Sequence, residues 1–176
     1  MENTKTGRKV LLIIDVQEPF LSEQTQAVPE FLRELLQRER FDLVIQSCWQ
    51  NYPGSRYETQ LGYDRGREAG PLLSCPGEKV LFRSTYSAVN EELRGCLRQG
   101  DRLYVAGLET DACILATLFD LWDGGFFFRL YREGVGTNRS DLAQPVLALI
   151  SRQFGDEVLI EAPVSIHKNP VFFLDS

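Results

Sequence analysis

The chain has 176 residues, 43% of them hydrophobic and 25% charged, which suits one domain, 1–176, with a buried core. A net charge of -6 and an isoelectric point near 4.9, with no lysine or arginine cluster in any segment, exclude nucleic acid as an expected partner. No apolar stretch approaches the ~20 residues of a membrane span and no signal-type apolar region follows the N-terminal residues. No membrane partner is therefore expected, and the expected location is cytoplasmic.

In chain order, short apolar runs alternate with helical patterns. "KVLLIIDV" (9–16) reads as a buried strand, "PEFLRELLQRER" (29–40) as a helix and "FDLVIQSCW" (41–49) as a second strand. The stretch 50–78 has turn residues and aromatics with little periodicity and reads as a long loop, with enough Tyr and Leu to pack. "KVLFR" (79–83) is a third strand, "YSAVNEELRGCLRQG" (86–100) a helix and "DRLYVAGL" (101–108) a fourth strand. "DACILATLFDLWDGG" (111–125), "FFFRLYRE" (126–133), "SDLAQPVLALISRQFG" (140–155) and "DEVLIEA" (156–162) complete the alternation. Gly100, Gly124 and Gly155 are placed to close three of the helices. The expected fold is α/β, three layers α/β/α around a mostly parallel six-stranded sheet.

Cys48, Cys75, Cys96 and Cys113 show neither a CxxC pair nor zinc-type spacing and are expected to be reduced thiols. The chain has one histidine, His167, near its C-terminal end, so a Ser-His-Asp triad, a Cys-His pair and a multi-histidine metal site are all disfavoured. His167 reads as a surface residue. Trp49 and Trp122 read as core, with Trp49 also at the mouth of the second strand.

In an open parallel sheet, ligands sit beyond the carboxyl ends of the strands. That rule selects Asp15, Arg83 and Cys113, at or just beyond the ends of the first, third and fourth strands. Cys113 falls in the first turn of its helix, where Thr110 or Asp111 can cap and where backbone N–H groups and a nearby cation favour a thiolate. Two readings stand for each residue. Cys113 is a nucleophile or a small buried hydrophobe. Asp15 is a general acid/base or a ligand of loop amides, and Arg83 is an electrostatic partner or an ordinary ion-pair residue.

"LLIIDVQEPF" (11–20), "VLFRSTYSAV" (80–89) and "VAGLETDACILATLFDLWDGG" (105–125) resemble, in order and spacing, the three signature blocks of the isochorismatase-like cysteine hydrolase superfamily. That superfamily includes nicotinamidases and N-carbamoyl amidohydrolases. The resemblance implies a catalytic Asp15 and Cys113, with Arg83 at the position where the family has lysine. It also implies a cis peptide between Glu109 and Thr110 and an oxyanion hole from nearby amides, those of Ala112 and Cys113. Substrate contacts are expected from Gln17, Phe20, Trp49 and Tyr86. Arginine keeps the lysine's charge but cannot give up a proton. Nicotinamidases of the family carry a metal-binding Asp/His cluster after the second strand, and "SCWQNYPGS" has no histidine there. No metal and no other cofactor are expected.

Isochorismatases proper typically lack the cysteine. The sequence therefore points to a metal-independent cysteine hydrolase cleaving a C–N bond of a small amide-like or carbamoyl compound through a thioester. The alternative is a silent family member that binds small molecules or partners. A nucleotide-binding reading is weak, since no GxGxxG or GxxxxGK[ST] follows a strand. A homo-oligomer, dimer or tetramer, is expected from the resemblance.

Overall fold

The computed structural model describes residues 7–162. Its elements, in order, are β1 (Lys9–Ile14), α1 (Ala27–Arg38), β2 (Leu43–Trp49), α2 (Arg56–Leu61), β3 (Lys79–Arg83) and α3 (Glu91–Cys96). They continue with β4 (Arg102–Leu108), α4 (Leu115–Asp123), β5 (Phe128–Gly136), α5 (Ser140–Phe154) and β6 (Leu159–Ile160). All neighbouring strands pair in parallel, in the order β3-β2-β1-β4-β5-β6. The strand order reverses between β1 and β4, which opens a crevice at their carboxyl ends.

The two-residue period of β1 divides the core. Val10, Leu12 and Ile14 pack with Leu93 of α3, Leu118 and Leu121 of α4, and Val146 and Ile150 of α5. Leu11 and Ile13 face the other way, against Val28, Phe31, Leu32 and Leu35 of α1. Those four α1 positions follow the i, i+3, i+4, i+7 spacing of one helical face. With helices on both faces, the sheet has three layers, as the alternation predicts.

Several boundaries differ from the sequence reading. The first strand ends at Ile14, so Asp15 lies just beyond it with φ at 52°, a left-handed conformation that Asp tolerates better than most residues. Helix α3 is short because Asn90 caps it, its side chain accepting from the Leu93 amide at 2.8 Å, which leaves Tyr86–Val89 as a loop. The helix stops at Cys96, and buried Leu97 turns extended into the core. Gly100 therefore closes no helix; it belongs to a turn held by the Asp101 carboxylate, which accepts from the Arg98 amide. Inside 50–78 lies α2, unforeseen but locally encoded: Ser55 caps its start and Gly62, at φ 66°, ends it. Trp122 is 54% exposed and is not a core residue. His167 lies outside the described residues.

Gly107 holds β1 and β4 together at the site. It pairs with Ile14, and a Cβ there would stand 2.0 Å from the Ile14 carbonyl oxygen. Among the described residues no helix is long and apolar enough to cross a membrane.

Candidate active site

Asp15, Arg83 and Cys113 converge beyond the carboxyl ends of β1, β3 and β4, and each is at least nine-tenths buried. The Arg83 guanidinium grips Asp15 with both terminal nitrogens, Nη1 donating to Oδ1 at 2.9 Å and Nη2 to Oδ2 at 2.8 Å. Nη2 also donates to the Tyr86 carbonyl oxygen at 3.0 Å. The Asp15 amide donates to the Ser47 carbonyl at 2.9 Å, so β2 fixes the turn that carries the carboxylate. Such a two-pronged pair is rigid and leaves little net charge.

Cys113 sits in a single wide turn, Thr110–Ile114, where the Ile114 amide reaches back to the Glu109 carbonyl oxygen at 3.1 Å. Wide turns of this kind break helix regularity and recur at functional sites. Neither Thr110 nor Asp111 caps this turn; Asp111 accepts from the Thr137 hydroxyl instead. The thiol approaches both Asp15 and Arg83, and its pKa departs from the sequence expectation. Burial pushes it well above the ordinary thiol value of 9.0, and the negative charge of Asp15 pushes the same way, outweighing Arg83. Arg83 opposes these two effects only in part, because it is already paired with Asp15. Its charge is largely offset by Asp15, so it favours a thiolate less than a free cation would. Burial also pushes the Asp15 carboxyl up, against the opposing pull of Arg83, which makes it a stronger base than an ordinary carboxylate.

Above the thiol opens a cavity of about 250 Å³. Cys113, Ala112 and Glu109 form one side of it, and Phe20, Trp49 and Tyr86 contribute aromatic rings. Tyr57, Leu61 and Tyr63 complete the wall, all from the 50–78 segment, whose sequence has little periodicity. The signal that reveals them is Ser55-x-x-Glu58 before Gly62, a capping pattern: the Ser55 hydroxyl accepts from the Glu58 amide at 3.2 Å. The rings brace one another, with Trp49 and Tyr57 centroids 4.8 Å apart and Tyr57 and Tyr86 5.2 Å apart. Among the described residues, Arg83 Nε and the Tyr63 hydroxyl are the buried side-chain polar atoms without a hydrogen-bond partner.

Gln17 is expected to touch substrate, but it does not line this cavity. Its amide is fully buried and consumed by backbone, donating to the carbonyls of Trp49 and Ala69 and accepting from the Trp49 amide at 2.8 Å. It fixes Trp49 in place. The cis bond is Leu108–Glu109, one residue earlier than the resemblance implies, because the chain turns at the last residue of β4. Thr110 follows in trans and is buried.

The model of the isochorismatase domain matches residues 9–161. This chain belongs to the isochorismatase family. Its solved structural neighbours include nicotinamidase PncA from Bacillus subtilis, at 20% identity and TM-score 0.69 over 88% of this chain and 99% of that one. A cysteine hydrolase from Pseudomonas syringae pv. phaseolicola aligns at 19% identity and TM-score 0.72, covering 86% of this chain and 88% of that chain. A pyrazinamidase of Pyrococcus horikoshii, solved with zinc, aligns at 17% identity and TM-score 0.71 over 88% and 99% of the two chains. At these identities the likeness establishes the isochorismatase-like fold. No curated protein matches by sequence.

The residues of this family member do not fit the metal of its zinc-bearing neighbour. Asn51 follows β2, and its side chain is committed to the loop: it donates to the Tyr63 carbonyl at 2.8 Å and accepts from the Ser55 hydroxyl at 2.6 Å. Among the described residues, no group of three His, Cys, Asp or Glu is placed to hold an ion.

Proposed function

We propose that this isochorismatase-family protein is a metal-independent cysteine hydrolase that cleaves the C–N bond of a small amide-like or carbamoyl compound. The observation that carries the reading is a buried thiol at the bottom of a small cavity walled mostly by aromatic rings, with a buried carboxylate beside it. Asp15 accepts the Cys113 proton as sulfur attacks the carbonyl carbon, so charge separates only while the bond forms. Arg83 keeps Asp15 oriented and offsets its charge. The oxyanion is received by the amides of Ala112 and Cys113. The Ala112 N–H is shared with the Glu109 carbonyl oxygen at 3.1 Å, so the Cys113 N–H takes more of the charge. The C–N bond breaks as the nitrogen takes the proton from Asp15. Water, deprotonated by Asp15, then attacks the thioester and releases the acid with the thiol restored. Phe20, Trp49 and Tyr86 shape the space around the non-reacting end.

A second reading, a silent binding protein, is favoured by one observation: both Asp15 oxygens are engaged by Arg83. The two readings separate by incubating the protein with a panel of small amides and carbamoyl compounds and following acylation of Cys113 by mass spectrometry. The hydrolase gives a transient adduct on Cys113, and Cys113→Ala lowers turnover more than about 10³-fold. Turnover retained in Cys113→Ala overturns the covalent mechanism. Activity should also survive exhaustive EDTA treatment; loss restored by zinc, iron or manganese would overturn metal independence.

A further inference from the structure

We propose that the cavity selects substrates whose non-reacting end is a compact cation of the quaternary-ammonium type, held by the rings of Phe20, Trp49, Tyr57, Tyr63 and Tyr86 and by the Glu109 carboxylate. The inference rests on the hydrolase reading only in that the cation is the far end of the same molecule.

The rings line the cavity without forming a slot of parallel faces. Their planes meet at steep angles: 63° between Phe20 and Trp49, 79° between Trp49 and Tyr57, 66° between Tyr57 and Tyr86, and 56° between Trp49 and Tyr63. Only Phe20 and Tyr63 in this group lie parallel. A flat neutral ring is served best by parallel faces, whereas a roughly spherical cation gains from several faces turned around it.

Charge separates the alternatives further. Among the described residues, Glu109 is the one charged residue in the lining. Its two oxygens accept from the Asn138 backbone and side-chain amides, which orient the carboxylate without neutralising it. Among the described residues it forms no ion pair. Asp15, by contrast, has its charge cancelled by Arg83. The cavity is thus bordered by one acidic residue that has no ion-pair partner among the described residues, beside largely aromatic walls. A neutral ligand would strip water from Glu109 and give nothing in return, and an anionic ligand would be repelled. A cation compensates Glu109 and meets the ring faces together. The volume of about 250 Å³ limits the ligand to one compact head group beside the reacting amide.

The test compares two molecules of one shape, the trimethylammonium amide of acetic acid (betaine amide) and its uncharged tert-butyl counterpart, 3,3-dimethylbutanamide. Calorimetry on Cys113→Ala, which cannot turn them over, should show about tenfold or greater preference for the cation. Glu109→Gln and Tyr57→Leu should each shrink that preference. On the wild-type protein, tetramethylammonium chloride should bind and lose affinity in Glu109→Gln. Equal or tighter binding of the neutral amide, or no binding of either cation, overturns the inference. Hydrolysis of both amides without preference overturns it while leaving the hydrolase reading intact. Selective cation binding with no hydrolysis by wild type supports it and overturns the hydrolase reading.

Discussion

Asp15, Arg83 and Cys113 stand at the ends of β1 and β3 and in the turn after β4, while Tyr57, Leu61 and Tyr63 hang from α2 and the chain that follows it. Cys113 of the first group lies at the floor of the cavity, with the buried Asp15–Arg83 pair behind it, and the second group makes much of its wall. The floor is fixed by the sheet: Gly107 lets β1 and β4 close at Ile14, and the Asp15 turn is tied to Ser47 of β2. The wall is fixed by side-chain caps and ring-on-ring contacts, with Ser55, Asn51 and Gln17 each committed to neighbouring backbone. The candidate catalytic groups reside in the floor, and the shape of the cavity in the wall. Disturbing the floor should therefore change the chemistry and the stability together, whereas disturbing the wall should change affinity with less effect on the fold.

The sharpest way to break this contrast is to remove the floor's cation. Arg83→Met leaves Asp15 buried and unpaired, and should destabilise the protein by about 3–5 kcal/mol in denaturant unfolding and lower kcat/KM by about 10²-fold or more. Arg83→Lys keeps the charge but gives up the two-pronged grip. It should lose part of that stability while freeing one Asp15 oxygen for the thiol proton, so turnover should equal or exceed wild type. A Met variant as stable as wild type would show that the pair is not what holds the floor.

The second test reads the thiol directly. Alkylation requires the thiolate, and the Cys113 pKa is raised, so iodoacetamide labelling of Cys113 should rise with a midpoint above pH 9.0, the ordinary thiol value. Asp15→Asn removes the negative charge that pushes the thiol up and should move the midpoint down. Fast labelling below pH 8, ahead of the other cysteines, would mean that Arg83 holds a thiolate after all.

The smallest effect belongs to the wall. Ser55→Ala removes the cap of α2 at a local cost of about 1 kcal/mol, and should raise KM with kcat nearly unchanged. A fall in kcat with KM constant would place α2 in the chemistry and erase the distinction between floor and wall.

Hydrophobic alternation along 9–162 was sufficient to order the strands and helices, because burial on both faces of a parallel sheet leaves an apolar run at every strand. The position of Asp15, Arg83 and Cys113 at one edge was equally legible, since it depends only on where strands end. Local pattern misled wherever a side chain overruled it. Asn90 and Leu97 shortened α3, and Ser55 organised a helix inside an apparent loop. Tertiary structure alone decided what Arg83 does with its charge. A guanidinium 68 positions from Asp15 in sequence closes on both carboxylate oxygens, and with burial that contact leaves the Cys113 thiol with a raised pKa where the sequence led us to expect a lowered one. The meeting of the aromatic rings at the cavity was decided the same way. Periodicity reports which face of an element is buried, whereas pairing of charges and meeting of rings depend on distances that the folded chain alone sets.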